Sequence, residues 1–234
     1  MLIPSQSWGE DIAIDISLVK NNLNEIQTNI AHYNVNIIAV TKYFGLKAIE
    51  VAYKAGIRNF AESRAQDGIK KLESLSDDIR KNSTFHFIGH LQTNKAEKVV
   101  KYFDVIQSVD SLKIAKAISK AACLNKKRVK IMLQVNNAEE EQKSGYLKEQ
   151  LREDLSEIMS LECIDIIGLM NMAPLGASEE KLEELFKDVR KFRDELQAEF
   201  KISLPELSMG MSDDYIVAIR EGATMIRIGR KLFT

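Results

Sequence analysis

The chain has 234 residues, of which 45% are hydrophobic and 29% charged, with a formal net charge of −1. A chain of this length can bury a full core, and the lack of a basic stripe argues against nucleic acid or an anionic membrane as a partner. Because no apolar run approaches the ~20 residues of a membrane span and the N-terminus lacks a signal-peptide layout, we expect a cytoplasmic protein.

The first predicted element is a helix that precedes all of the strands. Its apolar residues recur at alternating steps of four and three, which is typical of a helix with one buried stripe. They are Ile12, Ile16, Val19, Leu23, Ile26 and Ile30.

The first predicted strand covers residues 37–40, where an apolar and mostly β-branched run lies between two helical patterns. Such a run is typical of a strand buried on both faces. Lys42 stands where this strand ends, which is also where ligands bind in α/β barrels and open α/β sheets. On this stretch alone, Lys42 is either a functional amine or a loop residue that extends to solvent.

Strands and helices then alternate to the end of the chain. The remaining predicted strands are 57–61, 85–88, 105–107, 129–135, 164–170, 204–207 and 224–228. The predicted helices between them are 46–55, 66–75, one opening with a capping box of Asn94 and Glu97, 112–122, 148–159, a long one capped by Ser178, and 213–221.

Eight strands separated by helices favour one (β/α)8 barrel of the TIM type, with the first helix as an addition. No linker or change of composition divides the chain, so we expect a single domain over residues 1–234. A doubly wound open sheet is the main alternative, but the first strand lacks the Gly-x-Gly-x-x-Gly turn of a dinucleotide-binding half.

In such a barrel the residues that follow the strands meet at one mouth. They are Lys42, Glu62, Ser63, Gly89, His90, Ser108, Asp110, Asn136, Asn137, Asn171, 208–212 and 227–230. One amine, several hydroxyls and amides, and two arginines favour an anionic ligand with a carbonyl group over a metal-dependent hydrolase. The two cysteines, Cys123 and Cys163, have no close-spaced partner and are expected to be free thiols, and the three histidines lack metal-ligand spacing.

The last two units have the strongest local chemistry. Residues 208–212 lead from a strand into a helix, and Gly229 lets the backbone approach a ligand after the last strand. Loops at these positions commonly bind a phosphate in TIM barrels, although Ser212 can equally be a helix N-cap. With Lys42 across the mouth, the pattern favours a phosphorylated aldehyde that is held as a Schiff base. Two ligands fit this description, a sugar phosphate and pyridoxal phosphate, and the sequence pattern does not distinguish them.

Seven segments, in order, resemble the signature segments of the pyridoxal phosphate homeostasis protein family, single-domain relatives of the alanine racemase N-terminal barrel. They are Ala39-Val40-Thr41-Lys42, His86-Phe87-Ile88-Gly89, Leu91-Gln92-Thr93-Asn94-Lys95, Lys143-Ser144-Gly145, Gly168-Leu169-Met170, Leu207-Ser208-Met209-Gly210-Met211-Ser212 and Arg227-Ile228-Gly229. The resemblance covers nearly the whole chain from residue 36 to residue 233.

The resemblance implies roles for individual residues. Lys42 would hold pyridoxal phosphate as an internal aldimine, with Arg227 near the pyridine nitrogen. The phosphate would be held by Ser208, Gly229 and Arg230, and Lys143 would be a second amine for transfer. His86 is either a satisfied core histidine or a contact of the ring.

Three segments depart from the family pattern. Ser63 replaces the usual Asn, so it would reach the ring oxygen less directly. Tyr43 and Phe44 stand where a second Lys and a Pro are frequent, and Arg230 stands where Thr is usual.

The resemblance implies storage, buffering or delivery of pyridoxal phosphate without robust catalysis, with apo pyridoxal phosphate enzymes as partners. We expect a monomer, because no exposed apolar stripe is evident in the sequence. A permanently cationic arginine near the ring nitrogen weakens the ring as an electron sink, and 234 residues leave no room for the β-domain of the racemases. The alternatives are a pyridoxal phosphate-dependent racemase or lyase acting on amino acids, and a Schiff-base aldolase that uses Lys42 without a cofactor.

Overall fold

The computed structural model describes residues 14–138 and 144–234. Within them, eight parallel strands pair in chain order and close into a barrel, because the last strand pairs with the first. The predicted (β/α)8 architecture is therefore confirmed, and the open-sheet alternative is wrong.

The strands match the predicted ones to within two residues at each end. They are β1 (Asn36–Val40), β2 (Asn59–Glu62), β3 (Thr84–Phe87), β4 (Val105–Val109), β5 (Val129–Val135), β6 (Ile164–Asn171), β7 (Glu206–Ser208) and β8 (Met225–Ile228).

The helices of the described residues surround this barrel. They are α1 (Ile16–Asn29), α2 (Leu46–Lys54), α3 (Ala65–Glu73), α4 (Asp77–Lys81), α5 (Ala96–Tyr102), α6 (Leu112–Leu124), α7 (Lys148–Met159), α8 (Glu179–Phe200), α9 (Tyr215–Arg220) and α10 (Arg230–Phe233). A 3-10 turn, Thr93–Lys95, precedes α5.

Most of the strands are buried on both faces because they contribute side chains to two cores. Ile38 and Val40 of β1 face the barrel lumen, where they pack with a small cluster that includes Met132 and Met170. Ala39, between them, faces the helices and belongs to the large outer core. This alternation explains why the strands appear as continuous apolar runs in the sequence.

The first helix is confirmed over its described part, from Ile16 onward, while Ile12 lies outside the described residues. Asp15 caps it by accepting a hydrogen bond from the Ser17 N–H at 2.8 Å. The helix packs against α2 and α10, so it joins the first and last units of the barrel.

Helix capping was predicted correctly at one site and wrongly at two. The Ser178 hydroxyl accepts from the Lys181 N–H at 3.3 Å, as expected. Asn94 does not cap α5, because it lies inside the 3-10 turn. Ser212 does not cap α9 either, because Asp214 takes that position and its carboxylate accepts from the Met211 N–H.

The expectation of free thiols is wrong. Cys123, in the last turn of α6, and Cys163, just before β6, form a disulfide with their Cα atoms 5.4 Å apart. The barrel brings these positions together although 40 residues separate them in sequence. Spacing along the chain therefore does not reveal the pair.

Residues 14–138 and 144–234 contain neither a membrane-spanning helix nor a candidate metal site. None of their helices is long and apolar enough to cross a membrane. The same residues contain no group of three His, Cys, Asp or Glu side chains placed to hold a metal ion.

Candidate functional site

Lys42 lies at the carboxyl end of β1, at the rim of the barrel mouth. The inward positions Ile38 and Val40 alternate along β1, and Lys42 continues this pattern two residues farther on. Its side chain is half-buried, and Nζ lies 4.9 Å from the centre of the Tyr43 ring. Lys42 therefore stands half-buried where β1 ends, beside the exposed Tyr43 ring, and the role of its amine stays a prediction.

Arg227 is a buried cation on the neighbouring strand. It pairs in register with Ile38 across the β8–β1 seam and is only 3% exposed. Its guanidinium donates to the backbone carbonyl oxygens of Ser208 and Asn171, both at 2.7 Å. Burial lowers the pKa of Arg227 to about 10, so the group stays cationic near neutral pH.

A chain of buried hydrogen bonds extends from Arg227 across the lumen. The Ser208 hydroxyl accepts from Arg227 and donates to Gln107 Oε1, each at 2.7 Å. The Gln107 amide nitrogen lies 3.0 Å from His86 Nδ1, and His86 Nε2 lies 3.3 Å from Asn59 Oδ1. These bonds bring the predicted residues Ser208, His86 and Arg227 together.

His86 is a buried histidine with both ring nitrogens bonded. It is 1% exposed, and desolvation lowers its pKa to about 4, so the ring is neutral at neutral pH. Of the two alternatives left by the sequence, this geometry describes a satisfied core histidine at the base of the site. A contact with a bound ring stays a prediction.

Gln107 was missed by the sequence reasoning. It is fully buried in the middle of β4, whose five residues are all buried. A polar amide within an apolar strand is the pattern that could have identified it, because a buried amide needs hydrogen-bond partners.

The loops after β7 and β8 lie against each other at the mouth. Gly210 has φ +88°, and a Cβ there would lie 2.7 Å from the Cβ of Ala218, so the close packing of this loop requires glycine. The Arg230 guanidinium bonds to Asp213 at 2.8 Å, and both side chains are exposed. The Ser212 hydroxyl accepts from the Lys231 N–H at 3.4 Å, which links the two loops a second time.

Gly229 lies against the strand that leads to Lys42. A Cβ at Gly229 would lie 3.5 Å from the Val40 carbonyl oxygen and 3.6 Å from the Val40 Cβ. One side of the mouth therefore holds Lys42, Arg227, Gly229 and Arg230. The expectation that Lys42 lies across the mouth from the loop after the last strand is wrong, because β8 pairs with β1.

Ser63 and Gly89 lie at the ends of β2 and β3, where the two backbones approach closely. A Cβ at Gly89 would lie only 1.8 Å from the Ser63 carbonyl oxygen. His90 follows in a loop and is exposed, with Nδ1 3.2 Å from Asp110. These positions place Ser63 at the mouth and His90 on its outer rim.

Lys143 lies outside the described residues, but its neighbours are held at the mouth. The Ser144 carbonyl accepts from the Gln134 side chain at 2.6 Å, and the Asn136 N–H donates to the Tyr146 carbonyl at 2.9 Å. The segment that follows Lys143 is thereby fixed to the carboxyl end of β5.

A closed barrel with a lysine after its first strand and a buried arginine on its last strand defines a barrel of the alanine racemase N-terminal type. The family model described as alanine racemase, N-terminal domain, matches residues 14–234. Alanine racemase from Clostridium difficile has the same fold, with a TM-score of 0.77 at 18% identity, over 94% of this chain and 57% of that chain. Likeness at this level concerns the fold alone.

Two relatives of higher sequence identity identify the family within this class. The pyridoxal phosphate homeostasis protein of Synechocystis sp. is 43% identical over 200 residues, which are 86% of this chain and 91% of that protein. The structure of PipY from Synechococcus elongatus with PLP bound has a TM-score of 0.86 at 38% identity, and the match covers 92% of this chain and 100% of that chain. The chain belongs to the pyridoxal phosphate homeostasis protein family.

Proposed function

We propose that this protein binds pyridoxal phosphate covalently through Lys42 and stores, buffers or delivers it. The observation that carries the proposal is the position of two residues on paired strands. Lys42 follows β1, and Arg227 lies on β8, which pairs with β1. The name of the Synechocystis relative and the PLP-bound PipY structure support the same cofactor.

The donor set fits pyridoxal phosphate. The cofactor has an aldehyde, a ring nitrogen and a phosphate dianion, and the mouth offers an amine, a guanidinium and two glycine-containing loops. Lys42 would take the aldehyde and Arg227 the ring nitrogen, with Ser63 and His86 nearest the ring. Ser208 is the last residue of β7, and Gly229 and Arg230 join β8 to α10, so these three positions lie at the strand ends that would hold the phosphate.

Arg227 also explains why robust catalysis is not part of the proposal. Bound pyridoxal phosphate supplies an electron sink for reactions of amino acids, and that sink is strongest when the ring nitrogen is protonated. A guanidinium that keeps its charge at neutral pH disfavours a second positive charge beside it. The protein would hold the cofactor and leave its reactivity low.

Borohydride reduction tests the attachment. Protein incubated with pyridoxal phosphate should be yellow, lose its visible absorbance on reduction, and yield one pyridoxyl group on the peptide that contains Lys42. Lys42→Ala should remain colourless, while Lys47→Ala, at an exposed lysine on α2, should behave like the unmodified protein. An adduct at another residue, or none, would refute the proposal.

Incubation with D- and L-amino acids separates the proposal from its enzymatic alternative. A racemase or lyase converts them, whereas a cofactor-holding protein does not turn them over. A cofactor-free aldolase would give colourless protein that still traps a sugar phosphate on Lys42 with borohydride.

The finer parts of the proposal concern where and with what the protein works. We place it in the cytoplasm as a monomer that delivers the cofactor to apo pyridoxal phosphate enzymes, with Lys143 receiving the aldehyde during transfer. Sedimentation tests the monomer, and activation of an added apoenzyme tests delivery. Lys143→Ala should slow that activation, and an unchanged rate would remove Lys143 from the proposal.

A further inference from the structure

A second lysine, Lys71 of α3, is bonded just behind the strand end that bears Lys42. Its Nζ lies 2.7 Å from Glu62 Oε1 and 2.8 Å from the Thr41 carbonyl oxygen. The Thr41 hydroxyl donates to the same Glu62 oxygen at 2.6 Å. The side chains of Lys71 and Glu62 are 13% and 2% exposed, so this is a buried ion pair.

Stability alone is a weak reason for such a pair. Removing two charges from water costs about as much as their attraction returns, and apolar side chains of similar volume often serve a fold equally well. Burial raises the pKa of the Glu62 carboxyl group, with Lys71 opposing the shift. In addition, Glu62 Oε2 is buried and has no hydrogen-bond partner within the described part of the chain.

The bond to Thr41 suggests another reason. Thr41 donates its N–H to the Ala61 carbonyl at 3.0 Å, which is the last ladder bond of β1, and the chain then turns away from the sheet. The Thr41 carbonyl and the Lys42 nitrogen belong to one planar peptide group. The Thr41 carbonyl oxygen accepts from Lys71 and also from the Phe44 N–H at 3.0 Å, so these two donors together fix the plane from which Lys42 extends.

We propose that Lys71 is a positioning residue for Lys42: its ammonium group, held by Glu62, anchors the Thr41 carbonyl and thereby directs the Lys42 amine into the mouth. This inference rests on the proposed function, because it assumes that Lys42 takes the cofactor. Lys71 itself does not touch the cofactor, since Thr41 and Glu62 face the helices rather than the lumen.

Three variants separate positioning from a merely structural role. Lys71→Met leaves Glu62 buried without its partner and should lower the urea midpoint of unfolding. Glu62→Met combined with Lys71→Met removes both charges and should recover the midpoint. Lys71→Arg keeps a cationic donor, and Lys70→Met, at the exposed neighbour of Lys71, is the matched control.

The readout is the apparent affinity for pyridoxal phosphate, from visible absorbance and from the yield of pyridoxyl-Lys42 after reduction. We expect about tenfold weaker binding in Lys71→Met and also in the double variant, the size of one lost charge-assisted hydrogen bond. Lys71→Arg and Lys70→Met should bind like the unmodified protein.

A double variant that recovers both the midpoint and the affinity would overturn the inference. If the double variant does not fold, Lys71→Arg decides. An unchanged urea midpoint with unchanged affinity for pyridoxal phosphate supports positioning. An unchanged midpoint with affinity as weak as that of Lys71→Met refutes it. If the unmodified protein forms no pyridoxyl-Lys42, the proposed function fails first, so the two failures are distinguishable.

Discussion

The guanidinium of Arg227 donates one hydrogen bond to the carbonyl oxygen of Ser208 and another to its hydroxyl, both at 2.7 Å. Because the hydroxyl oxygen accepts from Arg227, its hydrogen is available for Gln107 Oε1. The Gln107 amide can then donate to His86 Nδ1, which leaves Nε2 as the protonated nitrogen of a neutral ring. Each group from Arg227 to Gln107 therefore donates a hydrogen bond to the next group on the way to His86. Consecutive hydrogen bonds of this kind strengthen one another.

Gln107→Leu interrupts this chain in the middle. The Ser208 hydroxyl and His86 Nδ1 each lose a partner in a buried site, so we expect the free energy of unfolding to fall by about 2–4 kcal/mol. Urea denaturation followed by circular dichroism measures the change. Gln66→Leu, the same replacement at an exposed site, should change stability by less than about 0.5 kcal/mol, and an equal effect of both variants would contradict the prediction.

The barrel and the position of Lys42 could be predicted from the sequence because both depend on local patterns. Apolar runs alternate with amphipathic stretches, and the strand ends follow from them. A polar residue in an apolar strand singles out Gln107, but its partners and those of Lys71 do not follow from local patterns, because they are distant: Ser208 lies 101 residues from Gln107, and the Thr41 carbonyl lies 30 residues from Lys71. A lysine on a charged helix is usually solvated, and only the packing of α3 against the ends of β1 and β2 buries this one.

His86 should make stability depend on pH in the acid range. Its pKa falls from 6.5 to about 4 on folding, so between these values the unfolded chain binds a proton that the folded protein does not. Lowering the pH through this window therefore favours unfolding, by about 3 kcal/mol in total.

The difference between the unmodified protein and His86→Gln isolates this contribution. Glu62 acts with the opposite sign, because its pKa is raised in the folded protein, but it is present in both proteins and cancels. The unmodified protein should lose more stability than His86→Gln between pH 7 and pH 4. Parallel stability curves would show that His86 is not a buried neutral ring.

Arg230 should discriminate between pyridoxal phosphate and pyridoxal, which lacks the phosphate. Arg230→Ala should weaken binding of the phosphorylated form several-fold and leave pyridoxal binding unchanged. Asp213→Asn should strengthen phosphate-dependent binding, since it removes the carboxylate that holds Arg230. Equilibrium absorbance titrations with both aldehydes measure the ratio.

The stability of the Arg230 and Asp213 variants is the control for this prediction. The Arg230–Asp213 pair is exposed on both sides, and such pairs contribute at most about 1 kcal/mol to stability. Both variants should therefore unfold near the unmodified midpoint. Equal weakening of both aldehydes by Arg230→Ala would mean that Arg230 does not contact the phosphate.

The disulfide between Cys123 and Cys163 should stabilise the barrel without affecting the site. It closes a loop of about 40 residues in the unfolded chain, which corresponds to about 2–4 kcal/mol. A reductant should lower the urea midpoint of the unmodified protein, whereas the double variant Cys123→Ser, Cys163→Ser should have a low midpoint from the start and should not respond to the reductant.

The disulfide and the Lys42 amine lie at opposite ends of the barrel, because Cys163 precedes β6 and Lys42 follows β1. Affinity for pyridoxal phosphate should therefore be the same in the unmodified protein and in the double variant. A midpoint that does not respond to reductant in the unmodified protein would contradict the bond, and a change in affinity would show that the two ends of the barrel are coupled.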